Sequence, residues 1–477
     1  MLTVVLILFP FLAALLAAAM PTGKMARNVA LGCASAEVGV FLPALLGYAP
    51  NVWFKIPWVS ALGIDFHVGM DGVSMLMVLL TVALVPLIIA TAKRKDFNSQ
   101  FYALIMLMQG ALIGVFTARD GFLFYIFWEL ALIPIWFICL VWGEEGRQRI
   151  TMKFFIYTLL GSLFMLLGMI YLYLHTPGTH SFNWILLTQA HKTMSVTEQS
   201  FVFWAMFLAF AVKMPVFPFH TWQPDTYTNA PAQGTMLLSG IMSKMGVFGL
   251  MYWLLPMVPQ GVAQWKDVAI ILSIIGIVYG SVIAIQQRDL KRLAAYSSFA
   301  HIGLISAGVF AGSFTSLQGA TMQMLAHGFN IVALFYIIDL IEQQTGTRRI
   351  DGLGGIAIAD KPFAVLAFII VLGSVAMPLT NAFVGEFMLL MGVFNYNAIA
   401  GVFAGTTIIL GAIYMLKMYR GAFFGEATVV TQKNYLDGTA FFVLATLAAI
   451  VIIMGVCPKP FMDLSQTAIQ DLLTTTF

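Results

Sequence analysis

Apolar positions in this chain come in long runs instead of alternating with polar ones. Runs near the roughly 20 residues a membrane helix needs lie at about 1–20, 28–48, 69–92, 99–117, 120–142, 152–174, 200–219, 233–254, 266–285, 293–311, 316–341, 363–393, 400–424 and 438–458. A membrane β-barrel would show short segments alternating apolar and polar, and these runs are apolar all round. The pattern predicts an all-α polytopic membrane protein of about 14 transmembrane helices, built as a single membrane domain over 1–477. The opening MLTVVLILFPFLAALLAAAM has no basic residue before its apolar stretch, so it is read as the first span, uncleaved. The longest connection, about 175–199, is polar.

Composition strengthens this reading and removes its competitors. Only 9% of the 477 residues are charged and 60% are hydrophobic, with a mean hydropathy of +0.91. Soluble domains carry about 25% charged residues. A soluble enzyme, a nucleic-acid binder and a disordered chain are thereby excluded. Cys33, Cys139 and Cys457 are far apart in sequence. They show no metal-type spacing and are read as small apolar fillers inside helices.

The basic residues sort by side. Loops after odd-numbered spans hold 17 of the 24 Lys and Arg, from Lys24 and Arg27 to Lys417, Arg420 and Lys433. Loops after even-numbered spans and the C-terminus hold five: Lys55, Arg119, Lys192, Lys266 and Lys459. The remaining two, Lys213 and Lys244, fall inside spans. By the positive-inside rule this bias puts both termini on the outer, periplasmic face. The chemistry-free start and the clean bias fit a bacterial inner membrane.

Ionisable groups inside spans are costly and point to function by default. Four stand out: Glu129 in FYIFWELALIPIWF, Lys213 in FLAFAVKMPVFPFH, Lys244 in LLSGIMSKMGVFGL and Glu386 in NAFVGEFMLLMG. Glu37 is a fifth, and the sequence around it offers no partner. Asp71, in VGMDGVSML, reads as a helix-start cap. His301 in SSFAHIGLIS and His327 in QMLAHGFNIV fall on consecutive spans between the lysines and Glu386. A neutral imidazole can pass a proton between its ring nitrogens, which makes a relay credible. Tyr296 and Ser297 are weaker candidates for the same polar axis.

Two helices are predicted to break. Lys213 is followed by Pro215 and Pro218, and proline removes a backbone donor. Backbone freed at membrane depth must be satisfied by protein or water, so such breaks line cavities. AVKMP at 211–215 has an echo in SVAMP at 374–378, and GTMLLSG at 234–240 in GTTIILG at 405–411. Their order suggests two repeats of five spans, with approximate halves 99–254 and 266–424. Five is odd, so the second unit would insert upside down. Two inverted five-helix repeats, each with one broken helix, are an architecture of secondary transporters.

FWELALIP, AVKMPVFPFHTWQPDTYTNAP, LKRLAAYSSFAHIG, QMLAHGF and MPLTNAFVGEF closely resemble the antiporter-like membrane subunits of respiratory complex I, which share a superfamily with Mrp-type cation/proton antiporter subunits. The resemblance runs from about residue 60 to 425. An acid, Glu386, stands where the L-type and N-type subunits and the antiporters usually carry a lysine. The chain also ends at Phe477, without room for the long lateral helix of the L-type. Both features resemble the M-type subunit, the counterpart of mitochondrial NADH dehydrogenase subunit 4.

The resemblance implies a proton-translocating subunit of NADH:quinone oxidoreductase, a translocase driven by quinone reduction elsewhere in the complex. It implies that Glu129 pairs with Lys213, that Lys244 is the central lysine, that His301 and His327 link the halves, and that Glu386 is the terminal acid. Its partners would be the L-type and N-type antiporter-like subunits, the peripheral NADH-oxidising arm and the lipid bilayer. FMN and iron–sulfur clusters would sit in partner subunits, because this sequence has no CxxCH, no ferredoxin-type cysteine series and no GxGxxG opening a βα unit. The alternatives are a subunit of a related Mrp-type antiporter or of a membrane-bound hydrogenase, and a stand-alone secondary transporter of a small solute. Physically, a carboxylate and an ammonium out of water keep each other charged. If Glu129 moves away, Lys213 loses its counter-charge and can release its proton towards Lys244, the histidines and Glu386.

Overall fold

The computed structural model describes residues 1–48, 52–178, 180–426 and 435–476. Lys433 and Phe477, used above, lie outside the described residues. Apolar runs do become helices. Twelve described helices are long and apolar enough to cross a membrane. The first predicted span is the shorter helix Leu2–Ala18. The twelfth is split into Lys361–Ser374 and Asn381–Tyr396.

Short polar residues set where these helices begin. An N-cap side chain accepts one of the first N–H groups, which otherwise have no partner. Asp71 accepts from Ser74 N, as expected for a cap. Asn98, Asp120, Asp289, Asp360, Asn397 and Asp437 do the same for their own helices. Ser195 and Glu198 form a capping box at the start of the Lys213 helix, Val196–Lys213.

The chain forms two compact units: 1–215 with 241–268 and 464–477, and 216–240 with 269–463. In the first, an antiparallel hairpin of Phe54–Val59 and Ile64–Val68 precedes the Gly72–Thr91 helix. The run-based reading had no element there. Gly63, at φ +60°, makes the turn, and Lys55 and Asp65 pair across the strands at 2.9 Å. The hairpin is stitched to the start of the Glu129 helix, Gly121–Trp142. Arg119 N donates to His67 O at 2.8 Å, and Asp65 N donates to Asp120 Oδ2 at 3.1 Å. Asp71 is more than a cap: Arg119 Nη2 and Tyr252 Oη donate to its Oδ2 at 2.8 and 2.7 Å.

Both predicted breaks are present. The Lys213 helix stops at Lys213, short of the predicted 219, because Pro215 and Pro218 lack the N–H needed to go on. A short helix, Gln223–Asn229, follows. In the second unit the helix that starts at Lys361 ends at Ser374. Ala376 and Leu379, at φ 53° and 71°, occupy the left-handed region that L residues rarely adopt. The chain then re-enters helix at Asn381. The last helix, Lys459–Thr476, has no counterpart in the run-based reading. It is amphipathic, burying Ser465, Ala468, Ile469 and Leu472 on one face. Cys139 is buried within a helix, whereas Cys457 lies exposed just past Gly438–Val456 and is no filler.

Candidate functional site

The first unit gathers Glu129, Lys213 and Lys244. Lys213 is the last residue of its helix and is only 3% exposed. Its ammonium has no hydrogen-bond partner and stands 5.4 Å from the centroid of the Trp128 ring. That contact is a cation–π arrangement, favourable when desolvated. Glu129, the next residue in the chain after Trp128, faces Ser162 and Tyr125, with Lys213 as its neighbouring charge. So Glu129 and Lys213 are electrostatic neighbours here without a direct hydrogen bond between them.

Lys244 is fully buried and donates to Ser243 Oγ at 3.3 Å. It sits in the helix Ala232–Leu254, in a regular α segment, Ser243–Gly249. Wider π-type turns flank this segment at Leu238–Met242 and Leu250–Leu254. Such turns re-aim side chains and recur at functional sites. Gly246 makes the packing possible: a Cβ there would come 2.8 Å from Met214 Cβ and 2.9 Å from Phe210 O. The helix that carries Lys244 therefore lies directly against the end of the Lys213 helix.

The second unit gathers His301, His327 and Glu386. His301 Nε2 lies 3.2 Å from Glu386 Oε1, and its Nδ1 is 2.8 Å from Ser297 O. The ring is thus fixed at both nitrogens. Gln323 Nε2 donates to the same Glu386 oxygen at 3.0 Å. The His301 and His327 rings are 5.9 Å apart between centroids. A cavity of about 20 Å³ opens among Ser297, His301, Gln323, His327, Asn330 and Ser374. That is room for about one water with several polar partners. Gly385 permits this proximity, since a Cβ there would lie 2.8 Å from Gln323 N.

Of the predicted residues, Ser297 joins the polar set, also donating to Tyr414 Oη at 3.1 Å. Tyr296 instead lies beside the Arg292 guanidinium. Sequence reasoning missed Trp128, Ser162, Gln323, Asn330 and Asn381. Asn330 Nδ2 donates to Asn381 Oδ1 at 3.0 Å, tying the second break to the His327 helix, Phe314–Thr345. A signal existed: Gln323, His327 and Asn330 recur at spacings of four and three, one face of a helix. Glu37, whose neighbouring sequence offers no partner, has a distant one: Gln109 donates from Nε2 to its Oε2 at 2.6 Å. The partner is 72 residues away on the Ser99–Thr117 helix, beyond the reach of local sequence.

A family described as NADH:quinone oxidoreductase/Mrp antiporter, TM, matches residues 118–411. The NADH-quinone oxidoreductase subunit M of Rhodobacter capsulatus is 36% identical over 464 residues, 94% of this chain and 91% of that one. The subunit M of Escherichia coli K12 is 34% identical over 432 residues, 88% and 84% of the two chains. A chain of respiratory complex I from Thermus thermophilus with bound NADH superposes with a TM-score of 0.90 at 29% identity, covering 99% of both. A chain of the Mrp complex from Dietzia, at 20% identity, has a TM-score of 0.85 over 98% of this chain and 52% of its own, a likeness of fold alone.

Proposed function

The chain belongs to the NADH:quinone oxidoreductase/Mrp antiporter membrane family, and on that premise we propose that it is the proton-translocating M-type subunit of an NADH:quinone oxidoreductase. The observation that carries the reading is the Lys213 ammonium, buried without a hydrogen-bond partner and with Glu129 as its neighbouring charge. A buried ammonium depends on nearby opposite charge to hold its proton. Movement of Glu129 is then enough to release that proton, with no covalent chemistry.

Lys244 extends the set in the first unit. In the second, His301 accepts or donates a proton at Nε2 beside Glu386, with His327 and a water-sized space next to it. Quinone reduction elsewhere in the complex supplies the drive. FMN and iron–sulfur clusters belong to partner subunits, and the L-type and N-type subunits and the peripheral NADH-oxidising arm are the assembly partners. The two broken helices support inverted repeats with halves near 99–254 and 266–424. The basic-residue bias supports a bacterial inner membrane with both termini periplasmic.

Glu129→Gln keeps the side-chain shape and removes the charge. It is expected to leave assembly intact, judged by NADH-active bands on native gels, and to abolish or severely cut proton pumping per NADH oxidised. Pumping at the wild-type ratio in the assembled variant refutes the role. If the chain migrates instead in a band without NADH activity, the driver of transport is misassigned.

A further inference from the structure

The Glu37–Gln109 pair lies outside the set that this function uses, and its chemistry is unusual. Both side chains are 0% exposed. Gln109 Nε2 donates to Glu37 Oε2 at 2.6 Å. Glu37 Oε1 and Gln109 Oε1 are each buried without a hydrogen-bond partner. Buried polar atoms rarely go unpaired, and an ionised carboxyl needs a counter-charge when removed from water.

Among the described residues, the helices packed on Glu37 bring no counter-charge to it. The Glu37 helix, Gly23–Leu45, packs against Leu2–Ala18, Gly72–Thr91 and Ser99–Thr117. These three helices contain no Asp, Glu, Lys, Arg or His. Their one acidic side chain of any kind is Tyr102, near the start of Ser99–Thr117, where its hydroxyl donates to Ala92 O. On its own helix Glu37 has Cys33 one turn away. The basic residues Lys24 and Arg27 lie at the helix start, where Arg27 donates to Ile89 O and Ala90 O.

One proton resolves the whole arrangement. A carboxylic acid has one donor and keeps an acceptor, and a carboxamide has the complementary pair. If Glu37 carries a proton, it accepts from Gln109 Nε2 and donates to Gln109 Oε1. Both orphan oxygens then acquire a place in one closed ring of two hydrogen bonds. Turning the amide round leads to the same place. Two acceptor oxygens would then face each other at 2.6 Å, which also requires a proton between them.

We propose that Glu37 and Gln109 form a further proton-binding site in the first unit, with Glu37 held as a neutral acid by reciprocal hydrogen bonds to the amide. The site is separate from the Glu129, Lys213 and Lys244 set. It goes beyond the pumping assignment and stands whichever complex the chain serves.

Infrared difference spectra of the purified complex containing this chain test it. Glu37→Gln, compared with wild type, is expected to remove one protonated-carboxyl C=O band per chain. That band shifts when H₂O is exchanged for D₂O, and the carboxylate bands stay unchanged. Gln109→Leu is expected to keep the band and raise its frequency, because the carbonyl loses its donor. Should Glu37→Gln fail to assemble, the shift in Gln109→Leu decides alone. Loss from the carboxylate bands, or a protonated-carboxyl region unchanged by either variant, overturns the proposal.

Discussion

At the level of single residues, the two units hold their buried charges in different ways. Lys213 has a π face and a neighbouring carboxylate but no hydrogen-bond partner. Glu386 is held closely, with His301 and Gln323 converging on one oxygen. A loosely held charge responds to its surroundings, whereas a tightly held one keeps its position. Gln323 is therefore expected to position Glu386 rather than to carry protons. Removing one partner of a buried hydrogen bond costs about 1–3 kcal/mol, so Gln323→Leu should loosen the carboxyl without unfolding the chain. The expected result is an assembled complex with a lowered ratio of protons pumped to NADH oxidised. If the assembled Gln323→Leu variant pumps at the wild-type ratio, the amide only packs. The ionisable members of both sets were legible in sequence because a charge inside an apolar run stands out. Trp128, Ser162 and Asn381 were not, since their role comes from which helix they face, and Gln323 and Asn330 were marked only by their helical spacing from His327.

Among elements, the spanning helices and both breaks could be read from apolar runs and prolines, but the amphipathic last helix, Lys459–Thr476, could not. The hairpin could not. Its strands are short: IDFHV does alternate apolar and polar residues, but over only five positions, and FKIPWV buries little of either face. Its place is fixed instead by distant partners, Asp120 and Arg119. That dependence has a pH signature. On the second strand, burial holds the His67 imidazole below its ordinary 6.5, and Lys55 and then Arg119 lower it further against a smaller opposing effect of Asp65. A group whose folded value is lowered contributes stability above its unfolded value and loses it as pH falls through the folded one. The hairpin should therefore loosen as pH drops below about 6.5. Hydrogen exchange of the backbone amides of 54–68 is expected to quicken on acidification in the wild type and to respond less in His67→Asn. Equal pH responses in the two would show that some other group sets the stability of this element.

The whole molecule adds a constraint that neither residues nor elements carry: the sidedness of its charges. With 17 of 24 Lys and Arg in alternate loops, the ends of all the helices are assigned at once, and one misplaced span would invert everything after it. The helix count agrees with that bookkeeping, since twelve long spans, Leu2–Ala18 and the split pair make up the predicted set. Which face is outside is a separate question, and the chain carries its own reporter. Cys457 is exposed just past the Gly438–Val456 helix, among the final residues of the last predicted span, 438–458, while Cys139 is buried and Cys33 is half-buried within a span. If both termini are periplasmic, a membrane-impermeant maleimide added to intact cells with a permeable outer membrane should label the wild-type chain, and Cys457→Ser should abolish that labelling. Inside-out vesicles should protect Cys457 from the same reagent. Labelling only in the vesicles would reverse the assigned orientation and put the basic loops outside. The positive-inside rule would then fail for this chain.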